Sequence, residues 1–267
     1  MSTRHQHTTS QDTAVDGQHG RLFVRTWSPE TPSHLAPIVL LHDSLGSVEL
    51  WRGFPSALCK ATGRQVVAYD RLGFGKSDPH PGTLALDFIA SEAEGDFATV
   101  LRALGIPRFI VFGHSVGGGM AVNCAAHHGA ACVALITESA QAFVEDRTVE
   151  GLEDARALFK DPGQVDRLKR YHGDKARWVL DAWIESWLHP AFATWSLRPV
   201  LPQVACPTLV IHGIDDEYGS SAHPTLIAEL GGGAARLELM PDTRHVPHRE
   251  REAEVIAMVK GFVSTLA

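Results

Sequence analysis

The chain has 267 residues, of which 44% are hydrophobic and 21% charged, and its formal net charge at pH 7 is −7. This is the balance of an ordinary globular protein, and a chain of this length buries about three quarters of the surface exposed in its unfolded form, so it needs no disulfide staples. The negative charge and the lack of any lysine or arginine cluster argue against a nucleic-acid binder. No apolar run approaches the ~20 residues that span a bilayer, so no membrane partner is predicted either.

The cysteines, the histidines and the N-terminal segment indicate the redox environment, the metal content and the location to expect of this protein. The four cysteines are scattered without a CxxC pair, so buried, unpaired thiols in a reducing compartment are expected. The fifteen histidines invite a metal hypothesis, but there is no HExxH and no other metal-ligand spacing, so neither a metal nor a cofactor is predicted. Residues 1–11 are polar and lack the apolar core of a secretory signal, which predicts a flexible tail and a cytoplasmic protein. Nothing in the sequence indicates an oligomeric state.

The predicted strands form a hairpin and a series of apolar runs. Asp16-Gly17 separates two short segments near the N-terminus and predicts a β-hairpin. Six apolar runs follow, at residues 37–41, 65–69, 108–112, 132–137, 208–211 and 237–240. Short continuous runs rich in β-branched residues are typical of central strands that are covered on both faces.

Segments with helical spacing of apolar residues alternate with these strands, at 86–104, 116–128 and 250–266. This alternation predicts an α/β fold with a mostly parallel, doubly wound central sheet. Between residues 137 and 207 the alternation stops, and three helices are predicted, at 149–160, 163–171 and 174–188. We interpret residues 140–200 as a helical cap, inserted into a core made of residues 12–139 and 201–267.

The motif G-x-S-x-G occurs once with a suitable context, at Gly113-His114-Ser115-Val116-Gly117. It lies between a predicted strand and a predicted helix, which is the setting that a nucleophile elbow requires. The glycines leave room for the backbone where a Cβ would clash, and the helix N-terminus stabilises developing negative charge. A phosphate-binding loop is the alternative, but the Lys-Ser/Thr of a P-loop and a complete G-x-G-x-x-G are absent. Ser115 is therefore the predicted nucleophile.

A serine hydroxyl becomes nucleophilic when a base accepts its proton. His245 lies in a loop between the last predicted strand and the last helix, and His248, nearer the helix, is the alternative base. The imidazole in turn needs a carboxylate that fixes its tautomer. Three acids follow the preceding strand, and composition alone allows Asp215, Asp216 or Glu217.

The ordered set of residues resembles the α/β-hydrolase superfamily over roughly residues 12–267. Tyr69–Ser77 is similar to the D-x-x-G-x-G-x-S segment that follows the family's fourth strand. Leu209–Gly213 resembles the family's acid loop, in which the carboxylate falls three residues after the glycine. The resemblance thus implies Asp216 as the acid, with Glu138 as an alternative because some members carry the acid there.

The resemblance also implies an oxyanion hole. Family members usually show His-Gly after the strand predicted at 37–41, and this chain has His42-Asp43 instead. By position, the backbone N–H of Ser44 would pair with that of Val116 to hold the oxyanion. We expect the Asp43 side chain to face away and to hydrogen-bond its own loop; an acid there would disfavour anionic substrates.

The predicted function is hydrolysis of a small to medium apolar carboxylic ester through an acyl-enzyme, with a small molecule as the only predicted partner. An apolar face on the last cap helix includes Trp183 and Trp187. Most of that face is expected to pack on the core, and the remainder to line a substrate pocket. The serine distinguishes the chain from epoxide hydrolases and haloalkane dehalogenases, whose elbow carries aspartate.

Several alternatives keep the same triad. Carbon–carbon bond hydrolases commonly place tryptophan after the catalytic histidine, where this chain has Val246. Hydroxynitrile lyases typically add a cap lysine, and three lysines lie in the predicted cap, namely Lys160, Lys169 and Lys175. A lactonase and a non-catalytic small-molecule receptor are the remaining alternatives.

Overall fold

A computed structural model describes residues 8–266. Its eight strands form one sheet in the order β1-β2-β4-β3-β5-β6-β7-β8. The strands are β1 Thr8–Asp16, β2 Arg21–Pro29, β3 Ile38–Leu41, β4 Val66–Tyr69, β5 Phe109–His114, β6 Cys132–Glu138, β7 Thr208–Gly213 and β8 Ala235–Met240. The first two strands pair antiparallel, β2 also pairs antiparallel with β4, and all other pairs are parallel. The six predicted runs and the hairpin are confirmed as strands.

Helices cover both faces of this sheet. They are α1 Phe54–Thr62, α2 Phe88–Ser91, α3 Asp96–Ala103, α4 Val116–His128, α5 Asp146–Leu158, α6 Pro162–His172, α7 Ala176–Trp187, α8 Ala222–Leu230, α9 Pro247–Glu250 and α10 Glu252–Val263. Successive strand residues point to opposite faces. In β3, Val39 therefore packs in the core with α3, α4 and α8, whereas Leu40 packs with α1 and α10. The predicted α/β class with a doubly wound sheet is confirmed.

The cap helices α5, α6 and α7 lie between β6 and β7, within the interval predicted as cap. A small apolar cluster joins α6 to α7, formed by Leu168, Ala176, Leu180 and Ile184, and Leu45 packs against it. Because Leu45 follows β3, this contact places the cap over the carboxyl ends of the parallel strands. None of the helices between residues 8 and 266 is long and apolar enough to cross a membrane.

The N-terminal boundary of the core differs from the prediction. The tail predicted over residues 1–11 is too long, because β1 begins at Thr8 and residues 8–11 pair with residues 26–29 of β2; residues 1–7 lie outside the described part. This edge strand is mostly exposed and polar, so backbone hydrogen bonds hold it and hydrophobic patterning does not reveal it.

The single helix predicted at 86–104 is instead two helices, α2 and α3. The chain leaves helical geometry at Gly95, where ψ is −118°. Just before this break, Glu92 is buried and hydrogen-bonds the hydroxyl of Tyr69. A buried polar contact therefore interrupts a segment whose apolar spacing is continuous.

Candidate active site

The turn between β5 and α4 carries Ser115 in a strained conformation, with φ 56° and ψ −124°. A non-glycine residue at positive φ costs roughly 1–3 kcal/mol and persists only where its surroundings enforce it. Here the enforcement is close backbone packing: a Cβ on Gly113 would collide with the carbonyl of Gly117, and one on Gly117 would collide with that of Leu41. The turn thus needs the glycines of the motif, and it lifts the Ser115 side chain above the sheet edge.

His245 lies between Ser115 and Asp216. Its Nε2 is 3.0 Å from Ser115 Oγ, and its Nδ1 is 2.9 Å from each carboxylate oxygen of Asp216. Nδ1–H therefore donates to Asp216, which leaves Nε2 free to accept the hydroxyl proton. Asp216 Oδ1 is itself fixed by the backbone N–H groups of Tyr218, at 2.8 Å, and Gly219, at 3.2 Å.

The other candidate acids and the other candidate base lie elsewhere. Asp215 and Glu217 are exposed. Glu217 accepts a hydrogen bond from the backbone N–H of His245, at 3.2 Å, and forms none with the imidazole. His248 hydrogen-bonds the buried Glu138. The structure therefore places Asp216 beside His245, and it pairs the alternative base, His248, with the alternative acid, Glu138.

Behind His245 lies the one candidate metal group found between residues 8 and 266, formed by His114, Glu138 and His248. Its members already bond within the protein: His248 Nδ1 bonds one carboxylate oxygen of Glu138, and His114 Nε2 donates to the backbone carbonyl of His245 at 2.8 Å. Burial lowers the pKa of His114 to about 4, so its imidazole is neutral at pH 7. The group supports the loop that carries His245.

Burial and charge act in opposite directions on the His245–Asp216 pair. Burial favours the neutral imidazole, but the charge of Asp216 and its hydrogen bond hold the pKa of His245 above its usual value. Burial likewise disfavours the Asp216 carboxylate, and His245 holds the pKa of that carboxyl below its usual value. The pair can therefore stabilise the imidazolium that forms when His245 accepts a proton.

The two residues predicted to donate to an oxyanion lie near Ser115. Val116 begins α4 directly after Ser115, and Ser44 lines the cavity into which Ser115 opens. The Asp43 side chain was expected to hydrogen-bond its own loop, but its carboxylate forms no such bond. Oδ1 has no partner among the described residues, and Oδ2 is 3.7 Å from Nδ1 of His114. The backbone carbonyl of Asp43 makes the hydrogen bond within the loop instead, and the Asp43 carboxylate lies at the cavity wall.

The cavity above Ser115 has a volume of about 260 Å³. Both predicted cap residues, Trp183 and Trp187, line it, as does Leu152. Sequence reasoning missed several polar lining residues, namely Gln141, Thr148 and Tyr218. For Gln141 and Tyr218 the only signal in the sequence is their position after a strand, since residues after the carboxyl ends of parallel strands converge on such a site; no such signal marks Thr148, which lies in α5. Gln141 Oε1 lies 3.4 Å from Ser115 Oγ.

The position of Asp43 leads to a prediction about pH. Its charge contributes to the raised pKa of His245, and His245 can act as a base only when neutral. Replacing Asp43 by Asn should lower that pKa, so the acidic limb of the kcat/KM profile should move to lower pH by about half a unit. The profile of an ester substrate measures this, with Glu150→Gln, an exposed acid on α5, as the control. An unmoved limb in the Asp43 variant would contradict the electrostatic role of Asp43.

Comparison with known proteins places the chain in a family. A family model of the α/β hydrolase fold matches residues 36–176, more than half of the chain. Over 203 residues the chain is 26% identical to the serine hydrolase BPHL of Mus musculus, covering 74% of this chain and 69% of that protein. It is also 26% identical over 262 residues to a non-heme haloperoxidase of Rhodococcus erythropolis, covering 87% of this chain and 91% of that one.

A solved structure supports the fold over nearly the whole chain. The enol-lactonase from Burkholderia xenovorans LB400 matches with a TM-score of 0.72 at 21% identity, covering 94% of this chain and 100% of that chain. The strand order of the sheet, the turn that carries Ser115 and the family model all indicate the same fold. The chain belongs to the α/β hydrolase fold family.

Proposed function

We propose that this protein is a serine hydrolase that cleaves small to medium apolar carboxylic esters through an acyl-enzyme. The observation that carries the proposal is the continuous hydrogen-bonded series from Ser115 through His245 to Asp216, at 3.0 and 2.9 Å, at the floor of a cavity. These distances lie within the range over which a positioned base activates a nucleophile.

The mechanism follows from the donors and acceptors. His245 Nε2 accepts the proton of Ser115 as Oγ attacks the ester carbonyl carbon, and Asp216 stabilises the imidazolium. The negative oxygen of the tetrahedral intermediate faces the N–H groups of Val116 and Ser44. His245 then protonates the leaving alcohol, and the acyl group stays on Oγ. Water attacks the acyl carbon while His245 accepts its proton; the bond to Oγ then breaks, His245 returns the proton to Oγ, and the carboxylic acid is released. A single oxyanion donor in such a site is worth about 3 kcal/mol of barrier.

The cavity supports the substrate class. Trp183, Trp187 and Leu152 provide an apolar wall for an acyl chain or an aromatic ring, and a volume of about 260 Å³ suits a small ligand. Asp43 and Glu217 also line it, and the described lining residues include no lysine or arginine. We therefore expect neutral esters to be hydrolysed faster than esters that carry a carboxylate.

Lactone hydrolysis is the second candidate, because a cyclic ester needs the same nucleophile, base and oxyanion donors. The likeness to an enol-lactonase is one of fold, so lactones belong in the same test. Carbon–carbon bond hydrolysis ranks lower, since Val246 stands where members with that activity commonly have tryptophan.

Active-site labelling and a substrate panel test the proposal together. A fluorophosphonate should form one adduct, on Ser115, and His245→Ala should abolish it because the hydroxyl is then not activated. Among p-nitrophenyl esters from acetate to dodecanoate, short and medium acyl chains should react fastest, with a burst of p-nitrophenol if deacylation is slow. Lactones, a vinylogous diketone and a hemisuccinate ester complete the panel. A folded protein that binds these compounds but neither labels nor turns them over would be a receptor.

A further inference from the structure

Arg71 is a buried cation with no carboxylate of the described residues within ion-pair distance. It is 4% exposed, and none of the ion pairs between residues 8 and 266 includes it. Burial lowers the pKa of Arg71, and the more distant charges of Glu92, Asp43 and Asp96 oppose that lowering. Its guanidinium lies 4.3 Å from the ring centroid of Phe74. Burying a charge is costly unless its donors are satisfied, and since no carboxylate is close enough to accept from the guanidinium, its hydrogen bonds should explain its orientation.

Those contacts converge on one carbonyl oxygen. Arg71 Nη2 donates to the backbone carbonyl of Asp43 at 2.9 Å. Arg71 Nε donates to His42 Nε2 at 3.3 Å, and His42 Nδ1 donates to that same carbonyl at 2.8 Å. Burial and the Arg71 charge lower the pKa of His42, so the neutral imidazole can accept at one nitrogen and donate at the other. Gly46 N–H completes the set at 3.2 Å.

This carbonyl and the predicted oxyanion donor belong to one peptide unit. The carbonyl of Asp43 and the N–H of Ser44 share a rigid plane and point in opposite directions across a trans bond. Fixing the oxygen therefore fixes the direction of the N–H. A small void lined by Ser44, Val116 and Arg71 shows that Arg71 lies beside both proposed donors.

We propose that Arg71 is a positioning residue that orients and polarises the Ser44 N–H through the Asp43 carbonyl, directly and through His42. A cation on the carbonyl oxygen draws electron density from the nitrogen, because hydrogen bonds in series polarise one another. The N–H becomes a stronger donor to an oxyanion, whose charge exceeds that of the bound ester. The inference rests on the proposed function, since it assigns a role within the same reaction.

Such a role differs from ordinary structural support. The oxyanion forms only as the reaction proceeds, so weakening its donor lowers kcat and leaves KM nearly unchanged. Arg64 provides a matched control. It is 5% exposed and also donates to two backbone carbonyls, those of Ala36 at 2.9 Å and Val263 at 3.3 Å. It lies at the amino ends of β3 and β4, opposite the cavity.

The experiment compares Arg71→Lys and Arg71→Met with Arg64→Lys and Arg64→Met on one p-nitrophenyl ester. Arg71→Met should lower kcat by about 10- to 100-fold, a share of the 10²–10³ that loss of a whole donor costs. Arg71→Lys should fall between it and wild type, KM should stay within about threefold in both, and the Arg64 pair should keep the wild-type kcat. The Ki of a trifluoromethyl ketone, which forms a tetrahedral oxyanion on serine, should rise in parallel with the loss of kcat/KM.

Thermal unfolding separates these effects from misfolding. If Arg71→Met does not fold, the two lysine variants carry the comparison, because lysine keeps the charge. Equal loss of kcat in the Arg71 and Arg64 variants would overturn the inference, as would a folded Arg71→Lys with wild-type kcat and inhibitor affinity. A wild-type protein that neither labels nor turns over esters would instead defeat the proposed function.

Discussion

Replacing Ser115 by alanine is expected to lower kcat by about 10⁶-fold, the loss typical when the nucleophile of a serine triad is removed. The remaining groups cannot form the acyl-enzyme, since His245 then has no hydroxyl to activate. Alanine keeps the Cβ, so the strained turn and its close glycine contacts should be unaffected and the thermal midpoint should stay near that of wild type. Single-turnover and steady-state assays with the best ester of the panel measure the change.

Ser139 provides a control for this substitution. It is also a buried serine with positive φ, at 46°, and it follows β6 at the same edge of the sheet. Its hydroxyl has no hydrogen-bond partner among the described residues. Ser139→Ala should therefore keep kcat within a few-fold of wild type. A Ser115→Ala protein that retains turnover and labelling would place the nucleophile elsewhere.

The central strands were predictable because each is buried on both faces and consists of a short apolar run. The elbow was predictable for a different reason: a turn in which backbone carbonyls approach Gly113 and Gly117 this closely leaves no alternative residue. Edge strand β1 was not, because its stability comes from backbone pairing with β2 and its side chains are mostly exposed. Nor was the break before Gly95, where a buried carboxyl contact overrides a helical pattern.

Within the site, the limits of prediction follow from long-range packing. Ser115 and His245 are recognisable from their place in the order of elements. Composition does not rank the three adjacent acids, and Asp216 is selected only by the spacing that the family resemblance implies. Burial agrees with that choice, since Asp216 is the only one of the three that is buried. Gln141 belongs to no motif, and Arg71 occupies an unspecified position of the Tyr69–Ser77 segment; each acquires its place because a strand ends at the same edge of the sheet as β5.

Asp216→Asn is expected to lower kcat by about 10⁴-fold, the loss seen when the acid of a serine triad becomes an amide. The amide cannot stabilise the imidazolium with a charge, and its NH₂ group can favour the wrong tautomer of His245. Without the carboxylate, the pKa of His245 should also fall, so the residual activity should have its acidic limb at lower pH. A pH–rate profile of the variant measures both effects.

Two matched amides locate the acid. Asp215→Asn changes an exposed carboxylate one residue away and should leave kcat nearly unchanged. Glu138→Gln removes the charge that pairs with His248, so it should lower the thermal midpoint more than it lowers kcat, because the pair supports the His245 loop from behind. If Glu138→Gln lost as much turnover as Asp216→Asn, catalysis would depend on the acid at the end of β6; if Asp215→Asn did, the spacing of the acid loop would be misassigned. Only a loss confined to Asp216 agrees with a carboxylate that holds both oxygens 2.9 Å from His245 Nδ1.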